Sequence, residues 1–216
     1  MKVVGLISGG KDSLYNLIEC QRNSHQIKCV ANLHSNDELD SFMFQTVGTS
    51  LVPLIGKCLD LPLYSKAIKG KPINIDSDYN QTLNDETEDL YDLLCQVKAD
   101  HADIEAVSVG AILSNYQRVR VEHVCKRLNL IPLTYLWRRD QLELLNDMNS
   151  SNQLSIVVKV AGAGLDPERH LGKSLHQLQP MLVKLNSIYG SHICGEGGEF
   201  ETITLDSPIF KRRIVM

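Results

Sequence analysis

The chain has 216 residues, a net charge of −4 and a pI of about 6.0, with 43% hydrophobic and 22% charged residues. That length suits one α/β domain with a small appended lobe, and the composition is that of a globular protein. The acidic balance argues against a stable nucleic-acid partner, and with no long apolar run nothing is expected to span a membrane.

Residues 3–7 are apolar and largely β-branched, as a parallel strand buried on both faces should be. A Gly- and Ser-rich turn follows. Leu14, Leu17 and Ile18 then recur at helical spacing, which predicts a helix over 13–22. Residues 27–33 read as a second strand, 34–41 as a polar acidic loop, and 42–59 as a helix broken or kinked at Pro53. A third strand is expected over 61–68. Residues 69–85 are polar and aperiodic, with Gly70 and Pro72, so a lobe, lid or hairpin is expected there. A helix over 86–99 places Leu90, Leu93, Leu94 and Val97 on one face. A strand over 106–109, a helix over 115–128, a strand over 131–136 and a helix over 140–148 complete the alternation. Such alternation predicts βαβ units and a parallel sheet. From about residue 150 the rhythm changes to a strand over 154–160, a helix over 173–189 containing Pro180, and a Gly-rich, then strand-like tail over 193–215. Two units are therefore expected, an α/β domain over 1–149 and a smaller lobe over 150–216. The six cysteines are scattered without a C-x-x-C pair and read as reduced thiols of an intracellular protein. The N-terminus enters the fold without a signal-peptide pattern.

The most informative stretch is Ser8-Gly9-Gly10-Lys11-Asp12-Ser13, placed between strand and helix. Gly9 and Gly10 let the backbone bend and approach a ligand closely. The first N–H groups of a helix lack internal partners and carry partial positive charge, so the turn is an anion site suited to phosphate. Lys11 can hold phosphate as a point charge, Asp12 can hold a Mg²⁺ that does so, and Ser8 and Ser13 offer hydroxyls and caps. The plain alternative is an ordinary capped turn. Gly5, Gly10 and Lys11 have the spacing of G-x-x-x-x-G-K-[ST], but Asp12 stands where Ser or Thr is required and Gly5 falls inside the strand, so that match is rejected.

In an open parallel sheet, ligands bind at the carboxyl ends of strands where the strand order reverses. The turn at Ser108-Val109-Gly110-Ala111-Ile112 is a candidate for the other side of that crevice, with Tyr116, Gln117, Arg118 and Arg120 just beyond it. A second distinctive stretch, Gly195-Glu196-Gly197-Gly198-Glu199-Phe200-Glu201-Thr202, is a poor helix and a poor strand. It reads as a surface acidic loop or as a site that holds cations and accepts protons.

The turn Ser8–Ser13 resembles the S-G-G-x-D-S pyrophosphate loop of the ATP pyrophosphatases. The whole chain is similar to the diphthine–ammonia ligase family. The similarity is carried by Ile7–Ser13, by 37–48, by 108–122 and most specifically by Gly195–Thr202. The resemblance implies an adenine nucleotide alpha hydrolase-like, Rossmann-like parallel sheet with a smaller C-terminal α+β lobe, ATP bound by the first unit and substrate met by the second. It implies ATP and Mg²⁺ at Ser8, Gly9, Gly10, Lys11, Asp12, Ser13 and Gly110. Asp12 would hold the metal, and Lys11, Asp12, Glu196 and Glu199 would carry the chemistry. Phe44, Glu88, Tyr116, Glu196, Glu199 and Glu201 would meet the substrate. Phe44 stands where relatives usually carry tyrosine, which keeps an aromatic face but loses a hydroxyl.

The implied reaction is amidation of diphthine on elongation factor 2, in the cytoplasm. It would run through an acyl-adenylate with release of pyrophosphate and AMP, and free ammonium would be the nitrogen source because no glutaminase segment is visible. The resemblance also allows a homodimer. Two other classes compete: a tRNA-modifying adenylase of the thiolase or lysidine-synthase type, and a non-enzymatic nucleotide sensor. The missing cysteine pair and the acidic charge weigh against the first, and the intact Lys11, Asp12 and glutamate loop against the second.

Overall fold

The computed structural model describes residues 1–35, 43 and 47–215. Five parallel strands form the main sheet: β1 (Lys2–Leu6), β2 (Gln26–His34), β3 (Leu63–Ala67), β4 (Ala106–Ser108) and β5 (Ile131–Leu133). Their order is β3-β2-β1-β4-β5. Both β2 and β4 pair in parallel with β1, so the order reverses at β1 and a crevice opens between the carboxyl ends of β1 and β4.

Helices cover both faces, which is why the strands read as nearly continuous apolar runs. On one face, α3 (Glu86–Asp100) and α4 (Asn115–Arg127) bury Leu90, Leu93, Leu94, Val121 and Val124 against Val4, Ala31 and Val107. On the other lie α1 (Lys11–Arg22), α2 (Val52–Leu59) and α5 (Gln141–Ser150). Here the core does not stop at the sheet. Leu14, Leu17, Ile55 and Leu144 share one apolar cluster with Ile156, Leu178, Leu182 and Ile203 of the C-terminal lobe. That lobe consists of β6 (Leu154–Val160), the short α6 (Pro167–His170), α7 (Leu175–Tyr189) and β7 (Phe200–Asp206). β6 and β7 form a separate antiparallel pair.

Several expected boundaries move. The expected helix over 42–59 is realised as a 3₁₀ turn at Thr49–Leu51 followed by α2; residues 42 and 44–46 lie outside the described residues. Pro53 does not kink the helix, because it sits in the first turn, where an N–H would lack a partner anyway. β5 stops at Leu133, since Trp137 N–H bonds back to Thr134 O at 3.1 Å and turns the chain. α6 was not anticipated, although Asp166 followed by Pro167 is a helix start, and the Asp166 carboxylate caps Glu168 N–H at 2.8 Å.

Residues 69–85 form neither hairpin nor lobe but a strap with a single bridge, Lys71 to Asp85. Its amides are tied to acids at the start of α3. Asp85 accepts from Ile73 and Asn74 N–H, and Asp89 from Lys69 and Gly70 N–H, at 2.7–3.0 Å. Burial works against the charge on Asp85, yet the bonds from Thr87, Asn74 and Ile73 hold its carboxyl below the usual range. The fully buried Arg120 donates to Asn74 O and Asp76 O and stacks between the Tyr116 and Tyr79 rings.

Candidate active site

The turn after β1 is built by its own side chains. Gly9 has φ of +91°, a left-handed value that side chains resist. Gly10 is the N-cap of α1 and has no side chain to offer the helix, so other groups meet the open amides. Ser8 Oγ accepts Gly10 N–H at 3.3 Å, and Ser13 Oγ accepts Ser8 N–H at 3.3 Å and donates to Gly10 O at 3.1 Å. Lys11 N–H goes to Thr202 Oγ1 at 3.0 Å, on β7. Two more bonds fix the lobe to the turn: Thr204 N–H to Gly9 O and Gln153 Nε2 to Lys11 O, each at 2.9 Å.

The turn after β4 closes against this one. A Cβ on Gly110 would stand 2.7 Å from Ser13 N, so only glycine lets the two turns approach. Between them lies a cavity of about 200 Å³, lined by Ser8, Asp12, Ser13, Asn32, Gly110 and Glu196 among others. The deeper wall is apolar, with Met43, Leu90 and Val121.

Lys11 is buried at 3% exposure, donates to Asp12 Oδ2 at 2.8 Å and lies 5.1 Å from the Phe200 ring centroid. Burial opposes its charge, but Asp12, the Cys194 thiol and Glu196 outweigh burial and raise its pKa. Burial pushes Asp12 up to about 6, with Lys11 pulling the other way and Glu196 adding to the rise. Asp12 Oδ1 is buried and has no hydrogen-bond partner among the described residues. A buried, unsatisfied carboxylate oxygen beside a phosphate-type turn suits a cation. Among the described residues no three His, Cys, Asp or Glu side chains gather as a metal centre. A Mg²⁺ here would therefore take Asp12 and draw its other ligands from phosphate and water.

The three glutamates of the acidic loop have three different surroundings. Glu196 faces the cavity, and its Oε1 accepts Ile112, Leu113 and Ser114 N–H at 3.1, 2.8 and 2.9 Å. Glu199 Oε1 accepts His192 N–H at 2.6 Å, and its buried Oε2 has no partner among the described residues. Glu201 Oε1 takes Lys159 Nζ at 2.9 Å, across the β6–β7 pair.

Glu199 and Glu201 are not among the residues that line the cavity, and two other expected contacts, Glu88 and Tyr116, also stand apart from it. Glu88 is held by both Arg127 nitrogens at 2.8 and 2.9 Å and by Tyr79 Oη at 2.9 Å, which ties α3 to α4. Tyr116 has the Arg120 guanidinium 3.3 Å from its ring centroid, and burial pushes its phenol up to about 12. Phe44 lies outside the described residues. Sequence reasoning passed over Thr202, Gln153, Asn32 and His192. Burial lowers the His192 pKa, with Glu196, Glu199 and Lys11 near enough to act on it. Thr202 sits in the quoted Glu-rich motif, whereas Gln153 carried no local signal.

A parallel sheet with a Gly-Ser turn at its order reversal, faced by a carboxylate loop, defines an α/β protein with an anion pocket suited to nucleotide phosphates. Family models agree and narrow the class. The diphthamide synthase N-terminal domain matches residues 1–132 and the diphthamide synthase C-terminal domain matches 140–216. The chain belongs to the diphthine–ammonia ligase family, whose members form a C–N bond. It is 53% identical to the diphthine–ammonia ligase of Bos taurus, with 100% of this chain and 83% of that protein covered. It is 54% identical to that of Schizosaccharomyces pombe, again over 100% of this chain but only 36% of that longer protein. Among solved structures, a predicted subunit of tRNA methyltransferase from Methanocaldococcus jannaschii aligns over 99% of this chain and 100% of its own, at 13% identity and a TM-score of 0.43. That distance is too great to carry a functional argument. No helix among the described residues is long and apolar enough to cross a membrane.

Proposed function

We propose that this protein amidates diphthine on elongation factor 2, using ATP and free ammonium, in the cytoplasm. The observation that carries the reading is the full-length identity, 53% in the bovine case, to proteins named diphthine–ammonia ligase. The geometry supports it independently, because the two turns and the glutamate loop meet at one crevice.

A carboxylate does not react with ammonia at neutral pH until its oxygen is made a leaving group. The substrate carboxylate attacks the α-phosphorus of ATP, a P–O bond forms, and the bond to pyrophosphate breaks. The Ser8–Ser13 turn receives the outer phosphates, with Ser8 and Ser13 able to surrender their internal bonds to them. Asp12 would hold Mg²⁺, which when bound neutralises charge on the departing pyrophosphate. Lys11 adds fixed positive charge beneath the turn. Ammonia then attacks the acyl carbon, the C–O bond to AMP breaks, and the nitrogen sheds its extra proton. Glu199, with one buried oxygen lacking a partner among the described residues, is the group offered to the ammonium ion and its proton.

The test is incubation with ATP, Mg²⁺ and diphthine-bearing elongation factor 2, with and without ammonium. Amide formation with AMP and pyrophosphate is expected only when ammonium is present. ADP and orthophosphate as products would overturn the adenylate route. Activity with glutamine but not ammonium would overturn the nitrogen source.

A further inference from the structure

Of the loop glutamates, Glu196 has its bonding set by the far side of the crevice. One oxygen, Oε1, receives three successive backbone N–H groups, from Ile112, Leu113 and Ser114. Ser114 is the N-cap of the 13-residue α4, so its N–H is one the helix leaves open, and those of Ile112 and Leu113 lie in the turn just before it. Negative charge is favoured there by the helix dipole, and bonds to an ionised acceptor are roughly twice as strong as neutral ones. Oε1 is thereby committed to three donors on the far side of the crevice and acts as a fastener.

What it fastens is a wall of the cavity. The same turn carries Gly110 and Ala111, which line the cavity, and Ile112 O receives Arg138 N–H at 2.8 Å on its outer side. The opposing wall is also held by the C-terminal lobe, through Thr202 and Thr204. The stretch from Glu196 to Thr204 thus grips both turns of the crevice and sets their separation.

We propose that Glu196 is a positioning residue for adenylation: by gathering the amides of residues 112–114 it fixes the β4–α4 turn as the wall facing Ser8–Ser13, and the ammonium proton goes to another group. This inference rests on the ligase reading above. It separates two glutamates whose roles their motif leaves undivided.

Glutamine distinguishes fastening from proton transfer, because its carbonyl oxygen still accepts three N–H groups but cannot take the proton. Wild type, Glu196→Gln and Glu196→Ala are compared by amide formation and by pyrophosphate release with ATP, ammonium and diphthine-bearing elongation factor 2, and by hydrogen exchange of the 110–116 amides in the free protein. For Glu196→Gln, kcat is expected within about threefold of wild type, with the amides of 112–114 still protected. For Glu196→Ala, those amides lose protection and the KM for ATP rises about tenfold, while kcat at saturating ATP falls far less. A Gln variant as inactive as the Ala variant, with its amides still protected, would overturn the proposal. So would undiminished protection of the amides in Glu196→Ala. If the Ala variant does not fold, the kcat of the Gln variant alone decides. The exchange measurement needs no turnover, so a wild type that released no pyrophosphate would sink the ligase reading while leaving the fastening role separately measured.

Discussion

The Ser8–Ser13 turn and the Gly195–Thr202 loop adjoin the same crevice, and both are short, glycine-rich and polar. In the turn, side chains find most of their partners within five residues: Ser8 with Gly10 and Ser13, and Lys11 with Asp12. In the loop the partners are remote or belong to another element. Glu196 reaches 84 residues back to Ile112, and Glu201 reaches 42 residues to Lys159. Where partners are local, spacing reveals the role. Where they are distant, identical residue types two or three positions apart do different work.

The comparison breaks most sharply at Asp12. Asp12→Ala is expected to lower kcat for amidation at least about a hundredfold, as loss of a preorganised charge at a phosphoryl site does. Retention of a tenth of the activity would detach Asp12 from the chemistry. In the loop, Glu199→Gln should slow amide formation roughly ten- to a hundredfold while pyrophosphate release continues. Equal loss of both steps would place Glu199 in adenylation instead.

The raised pKa of Asp12 gives a signed pH dependence. Mg²⁺ must displace the proton, so Mg²⁺-dependent ATP binding should rise with pH and level off above about 6, losing roughly tenfold per unit below it. In the metal-free protein the folded state binds that proton more tightly than the unfolded state, whose carboxyl stays near 3.8. Its contribution to stability therefore falls as pH rises from about 4 to about 6. Calorimetric titration and denaturant unfolding across that window check the two signs separately.

Smaller effects sharpen the contrast. Thr202→Val keeps the shape but leaves Lys11 N–H without its hydroxyl, which should cost about 1 kcal/mol in urea unfolding and raise the KM for ATP a few-fold. Glu201→Gln disturbs a partly buried ion pair and should change stability by no more than about 1 kcal/mol, with amidation rates unaltered.

Much of the fold was readable because it rests on short-range rules. The apolar runs of β1 and β2, the stripe of α3 and the glycine-bearing turns all signal themselves within a dozen residues. The true start of α2 was hidden because Pro53, read as a break, is a good first-turn residue. Expecting a hairpin or lobe over 69–85 failed because the strap is ordered by acids at the start of α3 and by Arg120, 46 residues beyond Asn74. At the site, Asp12 and Gly110 were legible from type and place. The cap supplied by Thr202 was not, because it lies 191 positions beyond Lys11. The dispersal of Glu196, Glu199 and Glu201 was hidden for the same reason.

The bond from Lys11 to Thr202 has a consequence for synthesis on the ribosome. The Ser8–Ser13 turn leaves the ribosome well before its clasp, since Thr202 follows Lys11 by 191 positions. Until β7 has left the exit tunnel, a nascent chain carries the ATP motif without the hydroxyl that steadies it. The turn therefore reaches its final bonding only after the C-terminal lobe has folded onto it.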